Sequence, residues 1–388
     1  MRSQTPVRVG IIGGGLMGKE VAAAIDRWAA LDDHPVRPVL TAVCDIDPGA
    51  LSWFEKVPTV KTRTGDYHDL LDDPDIDVLY IAVRHDLHQE FYVDAIRAGK
   101  DVLAEKPFGI DLAAAERIVA ELDANPRVFM RCSSEMPFFP GAQAAVRLVQ
   151  SGFLGKPIEA VSGFSHSSDL DPEKPISWKR QRRYCGDAGV MNDLGMHVAH
   201  VPLRLGWDLD RVYAVLQNLV PQRIGPDGAM MPCDTWENAT LIADAAEAGR
   251  AFPLRLEMKR ADPGQKNSWT FRALGMDGGV EFSTRHPKTL RVFGHASLPF
   301  GQGGTEVTEQ VWHEVELGSQ SVFPTVTGPI FEFGFSDAIL QMWAAFLAER
   351  EGELGDRFGC VTPAEAVASH RIWEAAMKSA ATGRPVSP

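Results

Sequence analysis

Cysteine is scarce in this chain of 388 residues: Cys44, Cys132, Cys185, Cys233 and Cys360 lie far apart, with no C-x-x-C pair. That argues against a disulfide framework or a zinc site and fits free thiols in a reducing cytoplasm. Basic residues are outnumbered, with 39 Lys and Arg against 52 Asp and Glu and a net charge of −13. A general nucleic-acid or anionic-membrane surface is therefore not expected. Long apolar runs are missing, and none approaches the ~20 residues that span a bilayer. No signal peptide is expected ahead of the first apolar run, which begins by Val7. Internal repeats and low-complexity tracts are absent too. What remains is an ordinary globular composition, 45% hydrophobic and 23% charged, long enough for two domains or one large one. The expectation is a cytoplasmic protein without a metal.

Val7 to Ile12 is a short β-branched run of the kind that makes a buried parallel strand. Gly13, Gly15 and Gly18 follow as G-x-G-x-x-G, with Gly14 as an extra glycine. The next stretch, "KEVAAAIDRWAAL", places Val21, Ala24, Ile25, Trp28 and Leu31 near one helical face. A glycine motif between strand and helix fits a dinucleotide site. Gly13 permits the tight turn, Gly15 the approach of a pyrophosphate, and Gly18 close packing of helix on strand. The helix N-terminus offers N–H groups to the phosphates. "VLTAVCD" then ends on Asp45, 27 positions after Gly18, where a ribose hydroxyl acceptor is expected. A carboxylate there repels a 2′-phosphate, so NAD is expected over NADP; Lys61 or Arg63 could reverse this by folding over the adenosine. Strand and helix patterns alternate on to Cys132, which implies a doubly wound parallel sheet with its ligand at the carboxyl ends of the strands.

"GIIGGGLMG", Asp45, "GKDVLAEKP" and "GDAGVMNDLGMH" (Gly186 to His197) together carry a resemblance. The chain resembles the glucose–fructose oxidoreductase / inositol dehydrogenase / MocA family of NAD(P)-dependent enzymes. The resemblance implies an α/β protein. Residues 1–131 would form a Rossmann domain, and 132–388 a C-terminal α/β domain with a large, mostly antiparallel open sheet. Such a sheet often serves oligomerisation, so a homodimer or homotetramer is expected. Carried onto this sequence, the cofactor contacts are Gly13, Gly15, Leu16, Met17, Gly18, Asp45, Arg84, His88, Glu105 and Lys106. The catalytic set is Lys106, Asp193 and His197. Trp178 and Lys179 join those three in holding a small polar substrate, a sugar or polyol.

The residue types support that set on their own. Asp193 and His197 stand i, i+4 and share a helix face. Oxidising a secondary alcohol needs a base for the hydroxyl proton and a positive neighbour for the alkoxide. His197 fits the base and Lys106 the cation, with Asp193 orienting His197 or holding a substrate hydroxyl. The three are expected to meet only when a cleft closes on substrate. Two alternatives share the resemblance: an NAD-dependent glycoside hydrolase and a catalytically silent dinucleotide sensor.

Two segments depart from the family pattern, and a third stands out by its charge. "VRHDLH" puts Arg84 and His85 where a T-P-N turn is common. Pro137, in "SSEMPFFP", replaces an arginine frequent in sugar-active members. "SWKRQRRYCG" concentrates Lys179, Arg180, Arg182 and Arg183 ahead of the Asp193 helix, either as a substrate grip or as a solvated charge run. From Arg211 the pattern turns to strands, with a hairpin at Asp277-Gly278-Gly279. "GQGGT" (Gly301 to Thr305) reads as a flexible loop. Two helices close the chain, the second with Thr362 as N-cap, Pro363 at its first position and Glu365 closing a capping box.

Overall fold

The computed structural model describes residues 5–298, 307–317, 321–328, 330–331 and 333–388, so the expected loop from Gly301 to Thr305 lies outside the described residues. Short apolar runs in the first third form β1 (Thr5–Ile12), β2 (Val36–Cys44), β3 (Thr62–Thr64), β4 (Val78–Ile81), β5 (Asp101–Ala104) and β6 (Met130–Cys132). They make one parallel sheet in the order β3-β2-β1-β4-β5-β6. The strand order reverses between β1 and β4, which opens the crevice where doubly wound sheets hold ligands. Ile12 pairs with Ile81, and Ile81 with Ala104. The turns after β1, β4 and β5 therefore leave the sheet side by side.

Helices α1 (Leu16–Asp26), α2 (His88–Arg97) and α3 (Leu112–Ala124) connect these strands. The five apolar positions expected on one face of the first helical segment are all buried, although α1 ends at Asp26 and Trp28 sits in a short 3-10 turn. Beyond β6 come α4 (Pro140–Gln150), α5 (Val190–Arg204), α6 (Phe335–Arg350) and α7 (Pro363–Thr382). α6 returns to the first sheet: Trp343 packs edge-on against Tyr80 of β4, and Ala344 O meets the His34 ring at 2.9 Å. α7 starts on the expected capping box. Glu365 N donates to Thr362 Oγ1 at 3.2 Å, and Thr362 N donates to Glu365 Oε2 at 2.8 Å.

The second sheet uses β7 (Pro157–Ser165), β8 (Asp208–Gln217) and β11 (Asn238–Glu247) to β16 (Val307–Glu316), while β9 (Gln222–Ile224) and β10 (Met230–Pro232) pair separately. β12 (Arg250–Lys259), β13 (Ser268–Gly275), β14 (Gly279–Ser283) and β15 (Thr289–Leu298) lie between, in the order β16-β15-β14-β13-β7-β12-β11-β8. Only β7 and β12 run parallel. α4, α5 and α7 pack against this sheet, and every residue of α5 from Val190 to Pro202 is buried. All five cysteines are buried free thiols. No helix among the described residues is long and apolar enough to cross a membrane.

The basic loop before α5 divides into separate roles. Arg180 is 1% exposed and donates to Glu237 Oε1 at 2.5 Å and Thr235 Oγ1 at 2.8 Å. Arg182 faces Asp187 at 3.2 Å on the surface. Lys179 alone of the four cations turns toward the α5 carboxylate described below. Arg180 is thus held in a buried pair, and Lys179, the one cation of the loop expected at the substrate, is the one that faces the crevice. Arg180→Met should lower the unfolding free energy by about 3–5 kcal/mol, since it leaves Glu237 buried without its counter-charge. Urea unfolding measures this, and a change of no more than about 0.5 kcal/mol, typical of surface substitutions, would contradict the assignment.

Candidate active site

At the turn after β1, Gly13 takes φ +103°, and a Cβ there would stand 2.3 Å from the Ala82 carbonyl oxygen. Only glycine fits. Gly13 N donates to Cys44 O at 2.8 Å and Gly14 N to Asp45 Oδ2 at 2.7 Å, folding the turn against the end of β2. A Cβ on Gly18 would meet the Gly13 carbonyl, whereas one on Gly15 would meet nothing within 4 Å. Gly15 is also the N-cap of α1, and no side chain caps that helix. The first N–H groups of α1 are thus left for an anion, beside Leu16 and Met17. This open cradle fits a dinucleotide pyrophosphate. Asp45 Oδ1 accepts from Asp47 N at 2.8 Å, and the Arg63 guanidinium is turned to Val60 O at 3.3 Å in its own loop.

Glu105 and Lys106 emerge at the end of β5. Glu105 is buried, and its Oε1 accepts from Tyr80 OH at 2.5 Å and Ser133 Oγ at 2.7 Å. That fixes the strand end and aims the next residue across the crevice. Lys106 Nζ donates to Asp193 O at 2.7 Å and Asp193 Oδ1 at 3.3 Å. Lys106 and Asp193 are thus in direct contact across the crevice.

α5 carries Asp193 and His197 one turn apart. Ahead of it, Gly186 takes φ +80°, and a Cβ there would lie 2.6 Å from Ile110 O, so this loop is seated directly on the first domain. Asp193 Oδ1 also accepts from Lys179 Nζ at 2.6 Å, and Oδ2 from Arg260. Burial works against the Asp193 anion, but Lys179, Lys106 and Arg260 together hold its pKa well below the usual carboxylate range. Burial likewise lowers the Lys106 pKa, yet Asp193, Glu105 and Glu135 outweigh it and leave the pKa raised. For His197, burial and then Lys106 push the pKa well below the ordinary imidazole value. Asp193 and His197 share no hydrogen bond. His197 Nδ1 instead meets Ser134 Oγ at 3.3 Å and Glu135 Oε2 at 3.8 Å, and its carbonyl accepts from Trp269 Nε1 at 2.8 Å. Orientation of His197 therefore falls to these neighbours and not to Asp193.

One cavity of about 470 Å³ gathers Gly15, Leu16, Met17, Glu105, Lys106, Trp178, Lys179, Asp193 and His197. His85, Glu135, His166, Asn267 and Phe335 line it too. A larger cleft of about 600 Å³, bordered by Arg147, Arg204 and Arg357, touches none of the glycine turn or the Lys106–Asp193–His197 set. Of the ten expected cofactor contacts, Gly15, Leu16, Met17, Glu105 and Lys106 line the cavity, while Gly13, Gly18, Asp45, Arg84 and His88 do not. His88 is fully buried, with its ring nitrogens at 2.7 Å from Pro107 O and 3.0 Å from Val83 O, which leaves no ring nitrogen for a ligand. Arg84 pairs with Asp86 at 2.9 Å and covers the Tyr184 ring.

Residues 7–131 match the family model described as an oxidoreductase family with an NAD-binding Rossmann fold, and residues 142–281 match the GFO/IDH/MocA C-terminal domain. The chain belongs to the GFO/IDH/MocA oxidoreductases. Levoglucosan dehydrogenase of Pseudarthrobacter phenanthrenivorans is 26% identical over 305 residues, which is 74% of this chain and 76% of that enzyme. Inositol 2-dehydrogenase/D-chiro-inositol 3-dehydrogenase of Lactiplantibacillus plantarum is 27% identical over 168 residues, 43% of this chain and 46% of that enzyme. The solved structure of a levoglucosan dehydrogenase with NADH and levoglucosan superposes at a TM-score of 0.84 with 23% identity, covering 99% of both chains, and so shares the fold.

As a GFO/IDH/MocA oxidoreductase the chain uses NAD, which the open glycine cradle and Asp45 suit. Sequence reasoning missed Arg260, Ser134 and Glu135. No local motif marks Arg260, which lies 67 positions from Asp193. Ser134 and Glu135 follow β6, and their place at the carboxyl end of a parallel strand was a usable signal. NAD should bind roughly tenfold or more tightly than NADP, a difference of about 1.4 kcal/mol or more. Dissociation constants by fluorescence titration check this, and equal or tighter NADP binding would contradict the role given to Asp45.

Proposed function

We propose that this oxidoreductase is an NAD-dependent dehydrogenase acting on a secondary alcohol of a sugar, polyol or sugar derivative. The observation that carries the reading is the convergence of Lys106, Asp193 and His197 in the cavity that also contains Gly15. The levoglucosan and inositol dehydrogenases among its relatives support the substrate class. The presence of all three side chains favours a catalyst over a silent sensor.

NAD, held at the Gly13–Gly18 turn and Asp45, would supply the hydride acceptor for the carbinol carbon. The chain's own groups manage the oxygen and its proton. Lys106 has three N–H donors, of which Asp193 takes two, so one remains for the substrate oxygen. Its raised pKa keeps it cationic beside the developing alkoxide. His197 is held neutral by burial, and its Nε2 has no partner among the described residues, so it is the base that can take the hydroxyl proton. Asp193 is a poor proton acceptor there, because the three cations hold its pKa well below the usual carboxylate range. It fixes Lys106 and Lys179 instead. Trp178 adds an apolar wall, edge-on to His85 at 4.7 Å.

The open face of the second sheet supports self-association, because Tyr213, Val215 and Ile242 are 41%, 50% and 51% exposed on adjacent strands β8 and β11. The buried free thiols are in keeping with a reducing cytoplasm.

Two outcomes follow. Lys106→Ala and His197→Ala should each lower kcat by roughly 10²–10⁴-fold, the double replacement should cost much less than the product of the two, and NAD affinity should stay near normal. Nicotinamide absorbance with levoglucosan, inositol and a panel of sugars reads this; near-normal turnover in Lys106→Ala would remove the mechanism. Ile242→Glu should shift a homo-oligomer toward the 42.5 kDa chain mass in light scattering, and a wild type already at that mass would rule out the association.

A further inference from the structure

The mechanism above leaves a proton on an imidazole that disfavours it. Burial and the Lys106 charge oppose an imidazolium at His197, so a base working alone there would be weak. The structure holds a second acceptor on the far side of the ring. Glu135 is 4% exposed and borders the cavity. Its Oε2 is buried without a hydrogen-bond partner and lies 3.8 Å from His197 Nδ1. Ser134 Oγ stands at 3.3 Å from the same nitrogen. An unpartnered buried carboxylate oxygen is costly, and a small side-chain adjustment would bring it within hydrogen-bond distance of the imidazole.

We propose that Glu135 receives, through His197, the proton taken from the substrate hydroxyl. The inference rests on the dehydrogenase reading and concerns the fate of its proton. Before reaction His197 carries its hydrogen on Nδ1, and Glu135 is a carboxylate. The substrate O–H bond breaks, and its proton adds to Nε2. The Nδ1–H bond breaks, and that proton adds to Glu135 Oε2. The carbinol C–H bond breaks with its electron pair going to NAD, and the carbonyl forms. The ring passes from one neutral tautomer to the other, so no imidazolium accumulates. Glu135 acts through His197 and is a positioning and relay residue.

The surroundings suit the task. Glu105 faces Glu135 from just past the end of β5, Lys106 from the next position and His197 from α5, with His200 behind His197. Burial and then the Glu105 charge raise the Glu135 pKa to about 7, against a smaller opposing pull from Lys106. The group must be ionised to accept a proton, so turnover should fall as pH drops through about 7.

The test begins with the unliganded protein. A carboxyl absorption in the infrared should titrate near pH 7 in the wild type and vanish in Glu135→Gln. Should that variant fail to fold, Glu135→Asp should shift the same band. A wild type with no carboxyl titrating near neutrality overturns the proposal. With NAD and levoglucosan or inositol as probes, Glu135→Gln should lose roughly 10²-fold in kcat, keep its KM and NAD affinity, and lose the acid limb of the pH profile. A variant that keeps the wild-type acid limb overturns the relay while leaving the dehydrogenase intact. A wild type that binds NAD but reduces none with any sugar or polyol is instead a failure of the dehydrogenase reading.

Discussion

Asp193 is a buried carboxylate set among three cations from three separate segments. Lys106 comes from the end of β5, Lys179 from the loop before α5, and Arg260 from just past β12. None of the three reaches it by local sequence. Each charge sits in a poorly solvated place and is tolerated only through the others, so removing one leaves an uncompensated buried ion. Arg260 extends the cluster to Asp169 at 2.8 Å, which in turn lies 3.9 Å from Arg180. Burial raises and Arg260 more than offsets the Asp169 pKa, which falls to about 2. The first sheet, the basic loop and the end of the second sheet are tied through these ions, and the cavity has its shape because the ties hold.

The same cluster separates the protonation behaviour of the site. Asp193 is kept an anion, Lys106 a cation and His197 neutral, all within one helical turn and one strand end. Such splitting is how a fold built from ordinary side chains performs acid–base chemistry near neutral pH. In the cavity Lys106 and Lys179 stand beside Glu105, Glu135 and Asp193, so its charges are largely paired, and the N-terminus of α1 adds backbone N–H groups that no side chain caps.

Much of this was legible from residue order. Gly13 to Gly18 between an apolar run and an amphipathic segment specifies its turn through backbone geometry alone. The capping box at Thr362 and the alternation in β8 and β11 to β15 are equally local signals. β7 was harder, because Ser162 and Gly163 interrupt its apolar pattern at the centre of the sheet, where Gly163 lies close against Thr270. Lys106, Asp193 and His197 could be named, but not their partners. Of the two roles open to Asp193, orienting His197 is not the one its hydrogen bonds serve, because Arg260, Lys179 and Lys106 take up the carboxylate. His88 misled for a related reason: its place after β4 suits a ligand contact, but its ring is turned inward to backbone carbonyls.

α6 gives the architecture a temporal dimension. The pairs Arg27–Asp337 and His34–Ala344 join positions 310 residues apart. A nascent chain therefore completes β1 and α1 long before the helix that covers them has been synthesised. Until Phe335–Arg350 leaves the ribosome, the apolar surface beside Trp28 and Tyr80 lacks its lid and is open to nonspecific association. Contacts of such sequence separation carry a large closure entropy and form late. The dinucleotide-binding third is thus no detachable module. Its final packing waits on Phe335–Arg350, and a chain cut short of that helix would be a sticky fragment in place of a small working domain.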